Sequence, residues 1–301
     1  MLDPEDEPRL PAELEQAIFE TTAHIRPLSI PTLMLIAWRV KKWVEPLLYQ
    51  TIVVSDSGAD ADAKNLEGHR KPFRCRTIYR VIQQSKSFPG DSVRDLFLSW
   101  EPTQEAVPKA ILTACRSVEN LWLSTAGPTT LFHLVEDLPL KQLYCDLRYL
   151  FGVQRQIDFS HRLFAKITHL EVFGGLLSGP EERWKQLAHI PHLTHLSFSH
   201  EYSVAGFLTI LRTCTLLRVL IVRESSNWIC TAIERSPDGA EIIRDPHFVK
   251  LGRREPGLDW RRGAWHGGGD YWVHAEECVA LRKRRVGEAD ALQYVFEEDG
   301  F

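Results

Sequence analysis

The chain has no apolar run long enough to cross a membrane, and this absence is a first constraint on its function. The longest apolar stretch near the start covers residues 33–38, far short of the roughly 20 residues that span a bilayer. The opening residues include Asp3, Glu5, Asp6 and Glu7, and this acidic composition is unlike a secretory signal. We therefore expect a protein of the cytoplasm or the nucleus.

Strong net charge and paired cysteines are also lacking. A net charge of −4 and a pI near 6.3 give no general attraction for nucleic acids or anionic membranes, so we expect neither as a partner. The six cysteines are widely scattered and include no Cys-x-x-Cys pair. This spacing predicts neither a zinc site nor a compact disulfide framework.

Signatures of catalysis are missing as well. The chain has no Gly-x-Ser-x-Gly motif, no glycine loop that could cradle a phosphate after a strand, and no carboxylate pair spaced for acid–base chemistry. His189, His192, His195 and His200 are close in sequence, but strand alternation would send His192 and His195 to opposite faces. We predict a non-catalytic protein without metal or cofactor; an enzyme with an unrecognised site is the alternative.

What the chain does contain is a repeated strand-like segment. Hydrophobic residues recur two positions apart, as in Leu96 and Leu98, which is the period of a strand with one buried face. The starts of the six copies are separated by 25, 22, 27, 26 and 24 residues. The copies begin at Val93, Val118, Leu140, Ile167, Leu193 and Leu217.

This spacing lies within the roughly 20–29 residue period of leucine-rich repeats, in which each unit contributes one strand and one helix. The asparagine that usually follows the strand is absent from every copy, so the repeat is irregular. The pattern predicts an α/β fold in which parallel strands stack side by side, because no single unit can bury its own apolar face. An ordinary α/β sheet with similar strands is the alternative.

The first fifty residues resemble the F-box family, and more closely the F-box-like proteins that are abundant in mushroom-forming fungi. The segment at residues 10–19, Leu-Pro-x-Glu-Leu-x-x-x-Ile-Phe, matches the N-terminal signature of the family, and residues 40–49 match its closing helix. The resemblance implies a three-helix head that docks on the Skp-type linker subunit of a cullin ubiquitin ligase. The residues it assigns to docking are Leu10, Pro11, Leu14, Ile18 and Phe19. The alternative is that these residues merely pack against the first repeat.

The residues that alternate with the buried leucines define a second candidate surface. Three successive aromatic side chains would align across neighbouring strands, beside a polar column, on the concave face of the repeats. We predict that this face binds a protein target, so that Trp122→Ala would weaken binding and leave thermal unfolding nearly unchanged. The alternatives are that the C-terminal segment folds back over the face, or that the rings mainly stabilise the sheet. The predicted target-binding residues are Phe97, Trp122, Tyr144, Asn120, Gln142, His169, Glu171 and His195.

The end of the chain is predicted to close the last repeat. Asp270 is expected to cap a last helix at about residues 270–286, and this region also resembles the ending of the fungal F-box-like proteins. The basic run Arg282 to Arg285 lies at the C-terminal end of that helix, where positive charge interacts favourably with the helix dipole. The alternative interpretation of this run is a nuclear-import signal.

The sequence therefore predicts an acidic tail at 1–9, an F-box-like head at 10–54, a polar mobile loop at 55–72, an irregular leucine-rich-repeat domain at 73–226 and a helical cap at 227–301. The predicted function is that of a substrate receptor of a cullin-type ubiquitin ligase. A leucine-rich-repeat scaffold that binds proteins without any ligase is the alternative.

Overall fold

A computed structural model describes most of the chain. The described residues are 10–55, 72–84, 88–153, 156–174, 182–199, 203–223, 228–252, 256–266 and 269–284. The predicted acidic tail and nearly all of the predicted polar loop lie outside these residues.

The body is built on one sheet of eight parallel strands that follow one another in chain order. This arrangement confirms the α/β class and the parallel strands. The six repeated segments form the six central strands, and their first leucines share one register row, as in the pairing of Leu96 with Leu121 and Leu121 with Leu143. The strands are β1 (Thr51–Ser55), β2 (Asp95–Trp100), β3 (Asn120–Thr125), β4 (Gln142–Cys145), β5 (His169–Val172), β6 (His195–Phe198), β7 (Val219–Arg223) and β8 (Phe248–Leu251).

Two outermost strands extend the sheet beyond the six repeated segments that the sequence analysis identified. Strand β1 pairs with β2 from Thr51 to Ser55, and β8 pairs with β7 through Leu220↔Phe248. The predicted C-terminal cap therefore contributes a strand as well as helices, which corrects the prediction of a helical cap.

Helices connect the strands and cover one face of the sheet. The predicted inward leucines of the central strands are almost completely buried there, with Leu96, Leu121 and Leu143 at 0% exposure. The helices between strands are α4 (Cys75–Gln84), α5 (Ala106–Ala114), α6 (Phe132–Val135), α7 (Leu147–Phe151), α8 (Glu182–Lys185), α9 (Val204–Thr213), α10 (Trp228–Arg235) and α11 (Gly239–Arg244). Short 3₁₀ turns complete several of these connections.

The opposite face of the sheet is also covered. Helices α12 (Pro256–His266) and α13 (Tyr271–Arg284) lie across it and form a second apolar core with the strands. Asp270 caps α13 as predicted, because its Oδ1 accepts hydrogen bonds from the backbone N–H groups of Trp272 and Val273 at 3.0 and 3.1 Å. The sheet is therefore buried on both faces, as parallel sheets usually are.

The N-terminal helices form a separate small core. They are α1 (Ala12–Ile25), α2 (Ile30–Leu33) and α3 (Trp38–Leu48). Ala23, Ile30, Val40 and Val44 are buried between these helices. We call residues 10–48 the helical head. It lies near the C-terminal helices, because α1 contacts α12. The strand that follows the head, β1, also meets α12, since the hydroxyl of Thr51 donates to the backbone oxygen of Ala264 at 3.3 Å.

Candidate functional site

The helical head carries a row of exposed apolar side chains along α1. Leu14 and Ile18 are spaced four residues apart in α1, so they lie on one side of the helix, and Leu10 lies just before the N-cap residue Pro11. Their exposures are 44%, 54% and 53%, and Pro11 beside them is also exposed. We call Leu10, Leu14 and Ile18 the apolar ridge. About half of each side chain is therefore open to solvent.

Phe19, the fifth predicted docking residue, has a different environment. Its ring is half-buried against the small core of the head, and its centroid lies 6.5 Å from that of Trp43. The aromatic ring therefore ties α1 to α3 and contributes less to the outer surface than the three residues of the apolar ridge.

A second set of exposed apolar residues lies in the turn before α3 and at the first position of α3, within the apolar stretch 33–38 that the sequence analysis named only for its length. Leu35, Ile36 and Trp38 are 86%, 58% and 68% exposed. Arg39 anchors this turn beside α1, since its Nε and Nη2 donate to the two carboxylate oxygens of Glu15 at 3.0 and 2.9 Å. The turn and the apolar ridge thus belong to one end of the head.

The three aromatic residues predicted to bind a target do align, but they are not open to solvent. The rings of Phe97 and Trp122 stack with centroids 5.2 Å apart, and those of Trp122 and Tyr144 with centroids 5.4 Å apart. Their exposures are only 5%, 5% and 1%. Trp260 and Trp272 of the C-terminal helices lie against them, with ring centroids 5.6 Å from Phe97 and 6.4 Å from Tyr144.

Of the alternatives that the sequence left open, the structure shows that the C-terminal segment folds over this face. The expectation of an open concave surface is therefore corrected, because helices α12 and α13 occupy the place of the expected target. The aromatic residues instead form the centre of the second core.

The polar column beside these rings consists of Asn120, Gln142, His169 and His195. The same helices contact it. The indole Nε1–H of Trp260 donates to Oδ1 of Asn120 at 2.9 Å, and the hydroxyl of Tyr144 donates to Oε1 of Gln142 at 2.9 Å. His195 Nε2 lies 3.0 Å from Oε1 of Glu276 on α13. These bonds give the column a structural role that explains its polarity.

His169 and His195 form a stacked pair within this column. Their ring centroids lie 4.0 Å apart in nearly parallel planes, and each Nδ1 lies 2.8 Å from the hydroxyl of the preceding threonine. Burial lowers the pKa of His169 to about 3, with a smaller effect from the neighbouring His195. Burial also lowers the pKa of His195, although Glu276 opposes this effect. The pair is therefore neutral at physiological pH.

Glu171 is the most buried of the predicted target-binding residues, with 0% exposure. Its carboxylate accepts hydrogen bonds from the hydroxyl of Ser199 at 2.7 Å and from the hydroxyl of Tyr271. Arg223 Nη1 lies 3.7 Å from the same carboxylate, so the charge is compensated inside the protein. Glu171 therefore fastens α13 to the sheet and does not face solvent.

A polar cavity of about 390 Å³ lies between the sheet and the C-terminal helices. It is lined on the sheet side by Asp95, Gln142 and His169 and on the helix side by Asp270 and Glu276. Burial raises the pKa of Asp95 to about 6, although hydrogen bonds from Thr51 and Asn120 oppose the shift. The carboxyl group of Asp95 therefore takes up a proton at a higher pH than an exposed aspartate does, and its ionised form is disfavoured by burial.

The described residues present no preformed metal or thiolate centre. Within those ranges, no three side chains of His, Cys, Asp or Glu are grouped so that they could hold a metal ion. Cys115 and Cys214 are buried thiols, and burial raises their pKa values to about 12 and about 11. In the same part of the chain, no helix has both the length and the apolar composition needed to cross a bilayer.

Comparisons with protein-family models and with curated proteins found no match for this chain. The fold itself defines the class: an α/β protein whose eight-stranded parallel sheet is covered on both faces, with a small helical head that carries exposed apolar residues.

Proposed function

We propose that this protein is a non-catalytic adaptor whose F-box-like head docks on the Skp-type linker subunit of a cullin ubiquitin ligase. In this proposal the α/β body is an irregular leucine-rich-repeat domain that presents a protein target to the ligase in the cytoplasm or the nucleus. The observation that supports docking is the apolar ridge of Leu10, Leu14 and Ile18, which is exposed at the positions that the family resemblance assigns to the linker.

The exposed turn before α3 extends this support. Exposed apolar patches on a folded protein are typical of protein–protein contact sites, and Leu35, Ile36 and Trp38 enlarge the apolar surface at the ridge end of the head. An aromatic anchor beside aliphatic residues is the composition expected where a partner binds. Trp38 supplies that anchor, with the ammonium groups of Lys41 and Lys42 lying 5.3 and 5.7 Å from its ring centroid.

The proposed target site does not include the concave face, because Phe97, Trp122 and Tyr144 are covered by the C-terminal helices. The import-signal alternative for the basic run also loses support, since the guanidinium of Arg282 is part-buried and donates to the backbone oxygen of Phe248. Arg285 lies outside the described residues.

Affinity purification of the intact chain with a recombinant Skp-type linker subunit tests the proposal. The test variant is Leu14→Asp with Ile18→Asp. The control variant is Val153→Asp with Leu216→Asp, two body residues of matched exposure at 54% and 56%. The linker should co-purify with the wild type and the control, while the ridge variant should lose at least tenfold in binding. Absence of linker binding by the wild type, or equal binding by all three proteins, would refute the ligase role; recovery of other proteins alone would favour the scaffold alternative.

A further inference from the structure

Strands β3 and β4 separate at the carboxyl edge of the sheet. Strand β3 pairs with β2 along its whole length, up to Trp100↔Thr125, but its pairing with β4 ends at Trp122↔Tyr144. Strand β4 ends at Cys145, and Asp146 then caps the short helix α7 that turns away from the sheet. The last residues of β3 therefore border a gap.

This gap is a cavity of about 280 Å³, which we call the edge cavity. Four aromatic side chains line it, from Trp100, Trp122, Tyr149 and Phe173, and the hydroxyl side chains Ser124 and Thr125 lie among them. In open α/β sheets, ligands bind outside the carboxyl ends of the strands at points where the strand order reverses. The edge cavity lies at the carboxyl ends, but the strands of this sheet follow chain order without a reversal, so the support for a ligand site is the lining of the cavity.

The size and the lining of the edge cavity restrict the ligand. Its volume is at the lower limit of the roughly 300–1,000 Å³ found for sites of drug-sized molecules, so it admits one small molecule of about two fused rings. Tyr149 and Phe173 are part-exposed and contribute aromatic surface to the lining of the cavity. Aromatic surface of this kind favours a planar ring.

The charges around the edge cavity favour a neutral ligand. Asp146 is its ionisable carboxylate, and both oxygens are already engaged: Oδ1 accepts from the backbone N–H of Arg148 at 2.9 Å, and Oδ2 accepts from Arg148 Nη2 at 3.0 Å. An ionised ligand would therefore enter a largely apolar site without a counter-ion ready for it, which is unfavourable.

Two hydroxyl donors also line the edge cavity. Ser124 and Thr125, the last two residues of β3, are part-exposed there. A ligand with a carbonyl oxygen could accept a hydrogen bond from either hydroxyl.

We propose that the edge cavity binds one small, neutral, planar aromatic molecule that carries a hydrogen-bond acceptor. This binding activity is independent of the helical head and of the ligase proposal. It assigns to the carboxyl edge of β3 a ligand site that the repeat pattern did not indicate.

Titration calorimetry of the full chain with 2-quinolone, a neutral bicyclic amide, tests the inference, with anionic quinoline-2-carboxylate as the comparison probe. We expect 2-quinolone to bind with a dissociation constant on the order of 100 µM, the range that ligand-efficiency limits allow for so small a molecule. The carboxylate should bind at least tenfold more weakly. No detectable binding of 2-quinolone, or equal binding of the anion, would overturn the proposal.

Two variants locate the site. Ser124→Leu places extra carbon atoms in the edge cavity and should weaken quinolone binding at least tenfold. Ser99→Leu changes the residue that pairs with Ser124 in register but does not line the cavity, so it should change binding by less than twofold. Thr125→Leu provides a second cavity-filling variant should Ser124→Leu fail to fold. Equal effects at Ser99 and at the cavity positions would contradict the assignment.

Discussion

The indole nitrogen of Trp272 donates a hydrogen bond to the hydroxyl of Tyr144 at 2.8 Å, although 128 residues separate the two in the chain. Trp272 is in the last described helix and Tyr144 is in the middle of the sheet, so this contact joins the C-terminal region to the centre of the repeats. Both side chains are almost fully buried, at 3% and 1% exposure. The C-terminal helices therefore belong to the folded core of the body.

Trp122 should accordingly contribute to stability. Trp122→Ala removes a ring that stacks between Phe97 and Tyr144, and such large-to-small changes in a core cost about 3–5 kcal/mol. Urea unfolding of wild type and variant measures the loss. Trp38→Ala is the matched control, because Trp38 is 68% exposed and its loss should cost about 0.5 kcal/mol or less. Equal stability of the Trp122 variant and the wild type would restore the original expectation of an open recognition surface.

The stacked histidines predict a specific loss of stability in acid. The folded-state pKa of His169, about 3, lies below its ordinary value of 6.5, so the folded protein binds fewer protons than the unfolded chain. The stability that neutral His169 contributes is present above pH 6.5 and is lost as the pH falls toward 3. His195 shifts in the same direction, and Glu276 faces it from α13.

His169→Gln tests this linkage, because glutamine retains hydrogen-bonding capacity and does not titrate. Between pH 7 and pH 4 the wild type should lose about 2–3 kcal/mol more unfolding free energy than the variant. Denaturant curves at the two pH values give the difference. His133→Gln is the control, since His133 lies on α6, away from the sheet column, and its pH dependence should match that of the wild type.

The repeat could be predicted from sequence because its physical signal is local. Leu96 and Leu98 alternate with Phe97 inside one strand, and the same alternation recurs at a nearly constant period, so strand direction and buried face follow from a few residues at a time. The eighth strand was missed because residues 248–251 lack the leucine spacing of the other copies, and its pairing with β7 depends on contacts distant in sequence.

Local periodicity could not show whether the three aligned aromatic residues are exposed or buried. Phe97, Trp122 and Tyr144 are equally suited to an intermolecular contact and to an internal core, since both bury aromatic surface. Only the position of α12 and α13 distinguishes the two, and helix-to-sheet packing is not encoded in local periodicity. The edge cavity was missed for a similar reason, because it arises where β3 and β4 diverge.

The contribution of Asp95 to the unfolding free energy should change with pH in the opposite direction to that of His169. Its folded-state pKa of about 6 lies above the ordinary value of 3.8, so the folded protein binds more protons and Asp95 becomes increasingly unfavourable as the pH rises through 6. Asp95→Asn removes the buried charge and retains an oxygen that can accept from Thr51 or Asn120. The variant should be about 1–2 kcal/mol more stable than the wild type at pH 8 and no more stable at pH 4. Paired denaturation curves check this, and a stability gain that is the same at both pH values would show that the charge is not its cause.

We expect the substitution of Gly206 by alanine to lower the stability of the protein, although it adds only one methyl group. Glycine inside a helix is normally less favourable than alanine by about 1 kcal/mol, so Gly206→Ala in α9 would ordinarily be stabilising. Here a Cβ atom at position 206 would overlap the indole ring of Trp184, which is itself 1% exposed and has little room to move. We expect Gly206→Ala to lower the unfolding free energy by about 1–3 kcal/mol, the usual cost of overpacking a core.

Gly127→Ala is the matched control for this test. The nearest atom to a Cβ at position 127 is Cγ of Pro102 at 3.7 Å, an ordinary van der Waals distance. The control should therefore change the unfolding free energy by less than about 0.5 kcal/mol. If Gly206→Ala instead increased stability, α9 would have to lie farther from Trp184 of α8 than the structure shows, and the packing of α8 against α9 would need revision at that point.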